Sequence, residues 1–238
     1  MQAWRFLMPG ALGFTLKNAV HGAIDKLLRR PSRPLQSMVF VADQARRGDP
    51  RDVLRTLDRF ATEVRWLMSV GPEKDAVIRE VAERLPRGPR VLELGAYCGY
   101  SAILIADTLG SGCALTSLEI NPDSVTAARA NVEVAGLSDR VNVIEGRSSE
   151  SITKLEGSFD LIFLDHWKDL YLPDLKLMEE RGLLKPGTIV VADNVGEIFG
   201  AEAYLDHVRY SGKYRSENRP GTIEYTHLPD AVEISTYL

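Results

Sequence analysis

The sequence predicts an α/β domain built on a mostly parallel sheet, with helices on both faces and an antiparallel hairpin at one edge. Three observations predict it. Short, wholly apolar runs alternate with helical patterns from Val91 onward, as strands covered on both faces require. Three polar motifs follow directly on such runs: L-E-L-G-A-Y-C-G-Y-S from Leu92 to Ser101, L-D-H-W-K-D from Leu164 to Asp169, and A-D-N from Ala192 to Asn194. A chain of 238 residues, 45% of them hydrophobic, is also long enough for one sizeable core.

The elements follow in order. Leu12, Leu16, Ala19, Val20, Ala23, Ile24, Leu27 and Leu28 recur at helical spacing, with Lys17, Lys26, Arg29 and Arg30 on other faces, and predict a basic amphipathic helix. Pro31-Ser32-Arg33-Pro34 reads as a short linker. A helix is expected from Leu35 to Arg47, closed by Gly48-Asp49-Pro50. Pro50 suits the first turn of a second helix, with Val53, Leu54, Leu57, Phe60, Val64 and Leu67 on its apolar stripe. Gly71-Pro72 ends it, and a third helix is expected from about Glu73 to Leu85.

Strands and helices then alternate. Strands are expected at Val91–Leu94, Ala114–Leu118, Val141–Ile144, Asp160–Leu164 and Thr188–Ala192. The helices between them are Ser101–Leu109, Pro122–Ala135, Ser149–Leu155 and Leu172–Arg181. Tyr214–Glu217 and Ala231–Tyr237 are strand-like stretches joined by a polar loop, the pattern of the edge hairpin.

Composition narrows the function. A net charge of −4, with cations and anions interspersed, argues against nucleic acid as partner. Cys98 and Cys113 sit in no metal-ligand spacing, which suits a reduced, cytoplasmic chain. The apolar stretch near the start is too short to span a bilayer and lacks a cleavage-site pattern. Two roles are open for the amphipathic helix: packing on its own domain or a sister subunit, or lying on a membrane surface.

The strand-end motifs carry the chemistry. The first strand ends in Glu93-Leu94-Gly95 and runs through Gly99 into a helix, whose free N–H groups and glycine turn suit a ligand. The spacing is not G-x-G-x-x-G, which disfavours a nicotinamide dehydrogenase. Glu119 ends the second strand, where an acidic residue would hold ribose hydroxyls. Two carboxylates with few cations repel phosphates and suit a cationic cofactor carrying a ribose, such as S-adenosylmethionine. The bland alternative is that Gly95 and Gly99 only turn the chain.

Asp165, Asp193 and Asn194 follow two other apolar strands, and as oxygen donors without thiolate or paired imidazole they match Mg²⁺ or Ca²⁺. Helix capping is the alternative for either motif alone. Lys168, three residues past Asp165, is either a solvated lysine or, repelled by a divalent cation, a general base. Trp167, beside it, is the better of two tryptophans for a flat pocket wall; Trp66 is the other.

These residues resemble the catechol O-methyltransferases. The resemblance is carried by L-E-L-G-A-Y-C-G-Y-S, E-I-N-P-D from Glu119, F-L-D-H-W-K-D from Phe163, Y-L-P-D from Tyr171, A-D-N-V from Ala192, W-L-M-S-V-G from Trp66 and I-E-Y from Ile223. It runs from about Leu35 to Leu238, which suggests a methyltransferase domain at 35–238 behind an N-terminal extension at 1–34.

The resemblance implies a Rossmann-like fold with seven strands, the last antiparallel, S-adenosylmethionine as methyl donor, and Mg²⁺ on Asp165, Asp193 and Asn194. It implies that Lys168 accepts the proton of the hydroxyl to be methylated and that Glu224 holds the neighbouring hydroxyl of a catechol. Met68, Val70, Glu93, Gly95, Tyr97, Ser101, Glu119, Ser148, Asp165 and His166 would line the cofactor pocket. Trp66, Trp167, Asn194 and Ile198 would face the substrate. The pattern departs where the family carries a proline after A-D-N-V: here the chain reads Val195-Gly196-Glu197-Ile198-Phe199-Gly200, a rim expected to be mobile. Rivals are an enzyme for another vicinal-diol phenol, such as a caffeoyl compound, and a non-catalytic scaffold of the same fold.

Overall fold

The computed structural model describes Val20, Gly22 and residues 27–238. Most of the amphipathic helix expected at Leu12–Leu28 therefore lies outside the described residues. Helices are α1 (Arg33–Gln44), α2 (Pro50–Arg59), α3 (Asp75–Ala82), α4 (Tyr100–Leu109), α5 (Pro122–Val134), α6 (Ser148–Ile152), α7 (Tyr171–Glu180) and α8 (Glu202–Tyr210). Strands are β1 (Arg90–Leu94), β2 (Ala114–Glu119), β3 (Val141–Glu145), β4 (Leu161–Leu164), β5 (Ile189–Ala192), β6 (Tyr214–Thr222) and β7 (Pro229–Tyr237).

All seven strands join one sheet in the order β3-β2-β1-β4-β5-β7-β6. β1 to β5 pair in parallel, and β7 lies antiparallel between β5 and β6. Successive strand residues feed opposite faces. Val91, Leu161, Phe163 and Val191 pack with Val53, Leu57, Ile78, Ile103 and Val132 from α2–α5. Leu92, Leu94, Ile162, Leu164 and Val190 pack on the other face with Tyr171, Leu175, Met178, Tyr204 and Val208 from α7 and α8. The continuous apolar strands are thus the middle layer of a three-layer core.

Local chemistry explains the helix starts. Asp49 accepts from the Asp52 N–H at 3.0 Å, with Pro50 in the first turn of α2. Asn121 does the same for Asp123 at 2.9 Å, ahead of Pro122. Several elements differ from expectation, among them β6, which runs on to Thr222 through part of the expected loop. α1 begins at Arg33, with Ser32 at its cap and Pro34 buried in the first turn, so only the front of the expected linker lies outside it. α2 loosens into a π turn over Phe60–Val64, and the chain is extended at Arg65, so Trp66 lies beyond the helix. α8 has no counterpart in the sequence reading. It is anchored by Ala201, Tyr204 and Val208, a short apolar spacing in a polar stretch. Among the described residues, no helix is long and apolar enough to cross a membrane.

Candidate active site

Four polar segments meet at the carboxyl ends of β1, β2, β4 and β5, around the crevice where strand order reverses at β1. Gly95 turns the chain out of β1 at φ +104°. A Cβ there would lie 2.2 Å from the Asp165 carbonyl oxygen, and one on Gly99 would press on Ala128 at 3.2 Å. Both glycines serve close backbone packing, which favours the bland reading of these two positions. Gly95 thereby seats β1's turn against Asp165.

Glu93 is fully buried on β1, and burial pushes its carboxyl up to about 7 although Ser101 and Ser117 donate to it. Its Oε1 has no partner, a buried acceptor open to a donor. Glu119 accepts from the Tyr97 N–H at 2.9 Å and the Asn121 N–H at 2.8 Å, which ties the β1–α4 turn to the end of β2. Tyr97 itself is held at φ +46°. Ser148 opens α6 beyond β3. His166 is half-buried, its Nε2 2.8 Å from Asp174 Oδ2, and desolvation holds its pKa low. Val70 lies in the core beside α3, whereas Met68 packs with Ile198, Phe199 and Ile223.

Asp165 follows β4 and Asp193-Asn194 follow β5; Asn194 adopts φ +51°, which an asparagine tolerates. Lys168 joins the two. It is only 6% exposed, so it is not a solvated lysine. Its Nζ donates to Tyr171 Oη at 2.7 Å, Asp165 Oδ1 at 3.2 Å and Asn194 Oδ1 at 3.3 Å. The buried Tyr171 hydroxyl lies 2.8 Å from the Leu164 carbonyl and 2.9 Å from that of Asp193, bracing both strand ends.

A second buried lysine is absent from the sequence reading. Lys74 Nζ donates to Asp193 Oδ1 at 2.5 Å and Asp230 Oδ2 at 3.0 Å, and pairs with Glu224. Burial lowers its pKa, but the three carboxylates outweigh that and raise it. Burial and Asp193 together raise Glu224, and burial raises Asp165. Asp230 also accepts from Asn194 Nδ2 at 2.8 Å and the Gly196 N–H at 3.1 Å. The signal for Lys74 was thin: one cation in a polar turn between Gly71-Pro72 and an amphipathic helix.

The donor set fits a hard divalent cation. Asp193 Oδ2 is buried without a partner. Four carboxylates, Asp165, Asp193, Glu224 and Asp230, are paired with two ammonium groups, Lys74 and Lys168, a surplus of oxygen donors that suits a divalent ion.

The outer walls differ in kind. Trp66 is half-buried and donates from Nε1 to the Glu224 carbonyl at 3.0 Å. Trp167 is 58% exposed. Ile198 is buried in a cluster with Phe199 and Ile223, and a Cβ on Gly196 would come 2.8 Å from Asp230 Cα. The rim expected to be mobile is packed, because its first glycine is there for a close crossing with β7.

Known proteins resemble this chain over most of its length. Residues 92–195 match a family model described as "Methyltransferase domain". The chain is 41% identical to catechol O-methyltransferase B of Danio rerio, over 99% of this chain and 92% of that protein. It is 39% identical to the catechol O-methyltransferase of Mus musculus, over 92% of this chain and 83% of that one. Among solved structures, an O-methyltransferase from Bacillus cereus in complex with SAH shares the fold at a TM-score of 0.66 and 21% identity, covering 93% of this chain and 98% of that one.

Proposed function

The chain belongs to the catechol O-methyltransferase family, and from that premise we propose that the crevice at the ends of β1, β2, β4 and β5 transfers a methyl group from S-adenosylmethionine to one hydroxyl of a catechol. The observation that carries the assignment of roles is the convergence of Lys168 Nζ on Asp165 and Asn194, at 3.2 and 3.3 Å, beside the unpartnered Asp193 Oδ2.

On this reading Asp165, Asp193 and Asn194 would hold Mg²⁺, which would supply Lewis-acid charge that makes a phenol easier to deprotonate. Lys168 Nζ accepts the proton of the hydroxyl to be methylated. Its Nζ is held on oxygens of two of the three proposed ligands, which would place it beside the hydroxyl. Glu224, buried and raised by its surroundings, accepts a hydrogen bond from the second hydroxyl. Glu119 serves the ribose, and the open Oε1 of Glu93 serves the cofactor's amino group.

S-adenosylmethionine supplies an electrophilic methyl whose sulfur leaves as a neutral thioether. The O–H electron pair forms the O–CH₃ bond as the S–CH₃ bond breaks, and the proton stays on Lys168. Opposite charges cancel in this step, so rate comes from alignment in a dry pocket. Trp66 and Ile198 form a packed wall for the ring, and Trp167 an open one.

A substrate panel tests the reading. Catechol and caffeate, with adjacent hydroxyls, should be methylated, and phenol and resorcinol should not. Comparable turnover of resorcinol would contradict chelation of two neighbouring oxygens. The ratio of catechol to caffeate turnover separates the two vicinal-diol readings.

A further inference from the structure

The mechanism leaves Lys74 unused, although it is the second fully engaged ammonium in the site. It projects from the turn between Gly71 and α3 and is 5% exposed. Its three partners come from three places: Asp193 at the end of β5, Glu224 in the β6–β7 loop, and Asp230 at the start of β7. Oxygens of these carboxylates lie within 4.8 Å of one another, close enough for one ion to touch all three. The neighbourhood is also built tightly around Glu224: a Cβ on Gly71 would meet Glu224 Cγ at 2.9 Å.

We propose that Lys74 is a built-in counter-ion which fills the place a second divalent cation would take among Asp193, Glu224 and Asp230, and so makes this a one-metal site. The inference rests on the metal reading of Asp165, Asp193 and Asn194 above. Three carboxylates converging beside a metal ligand are the ingredients of a two-metal centre. A tethered ammonium satisfies them with one charge and cannot exchange. It also leaves Glu224 on a monovalent partner, free to receive a substrate hydroxyl, where a divalent ion would hold its oxygens. Lys74 acts through the carboxylates and is a positioning residue, not a catalytic one.

The test is the stoichiometry of Mn²⁺ binding to the full-length apo chain, read by electron paramagnetic resonance of free Mn²⁺. Wild type should bind one ion. Lys74→Met should bind two, and the double variant Lys74→Met, Asp230→Asn should return to one. Lys74→Arg, which keeps the charge, should bind one. If wild type binds one ion and Lys74→Met also binds one, or none, the counter-ion role is overturned while the metal reading stands. If wild type binds none, the metal reading fails and this inference with it. Should Lys74→Met fold only when Mn²⁺ is present, with two ions per chain, the role is supported. If it stays unfolded with Mn²⁺, Lys74→Gln takes its place, and one ion per chain in that variant overturns the role.

Discussion

Lys168 carries the sharpest expectation at the residue scale. Its ammonium is buried on three partners, so removing it opens a gap but leaves the cofactor's carboxylates untouched. Lys168→Ala should lower kcat by roughly 10²–10⁴-fold with little change in S-adenosylmethionine affinity, since a positioned general base contributes about that much. Steady-state kinetics beside calorimetric titration of the cofactor will separate the two effects; wild-type kcat would make the lysine a support for Tyr171 only. Glu93 carries a pH signature. Burial raises its folded pKa to about 7, above the ordinary carboxylate value of 4.5, so the folded chain binds the proton more tightly than the unfolded one. The stability this contributes is present at acid pH and is lost as pH rises between those two values. Glu93→Gln should flatten that part of the curve and be the more stable protein at pH 8, as denaturant midpoints will show; an unchanged curve would mean Glu93 is ionised throughout. The oxygen donors stood out in the sequence because they come straight after apolar runs, and Lys168 because it lies three residues past one of them. Lys74 and Asp230 did not: they face the site from a turn and from the edge hairpin, whose return beside β5 no local pattern announces.

At the scale of elements, turns decide where chemistry sits. Gly95 and Gly182 both have positive φ, yet a Cβ on Gly182 meets nothing within 4 Å and one on Gly95 meets the Asp165 carbonyl. Gly182→Ala should cost about 1 kcal/mol, the strain of a left-handed alanine. Gly95→Ala should cost distinctly more and should also weaken metal binding, because relief of the clash moves Asp165. Equal costs by thermal unfolding would show that the β1 turn yields freely. Glycines in the first motif announced a tight turn in the sequence, but the partner they approach is a neighbouring strand end, which spacing does not show. Likewise the Gly196–Gly200 rim read as loose until β7 was seen to cross it. α8 went unread because its two buried anchors, Tyr204 and Val208, make too short a stripe to stand out from polar neighbours.

The described residues form one three-layer core with the candidate site at the carboxyl ends of the central strands, and the alternation of apolar runs foretold that architecture. At the N-terminal side, α1 starts two residues before the expected Leu35. Gln36 N–H donates to the Ser32 carbonyl at 2.9 Å, and Arg33 donates to the Trp66 carbonyl at 3.3 Å, so the first turn of α1 reaches Trp66, the proposed substrate wall. A chain starting at Pro31 should match the full chain in melting temperature and kcat, and one starting at Leu35 should melt lower and show a higher KM for catechol. Equal behaviour of both would remove α1's first turn from the wall. Co-sedimentation of the full chain, but not the shorter one, with anionic vesicles would assign residues 1–30 to a membrane surface; equal sedimentation would assign them to packing.

The central claim is that three oxygen donors and one lysine perform metal-assisted methyl transfer. The direct measurement follows labelled methyl from S-adenosylmethionine into catechol by the full chain, in Mg²⁺ and in excess EDTA, with Asp193→Asn alongside. Transfer is expected in Mg²⁺, with loss in EDTA, recovery on adding Mg²⁺ back, and at least a hundredfold loss in Asp193→Asn, on the scale of other single catalytic groups. Transfer that persists undiminished in EDTA would contradict the claim.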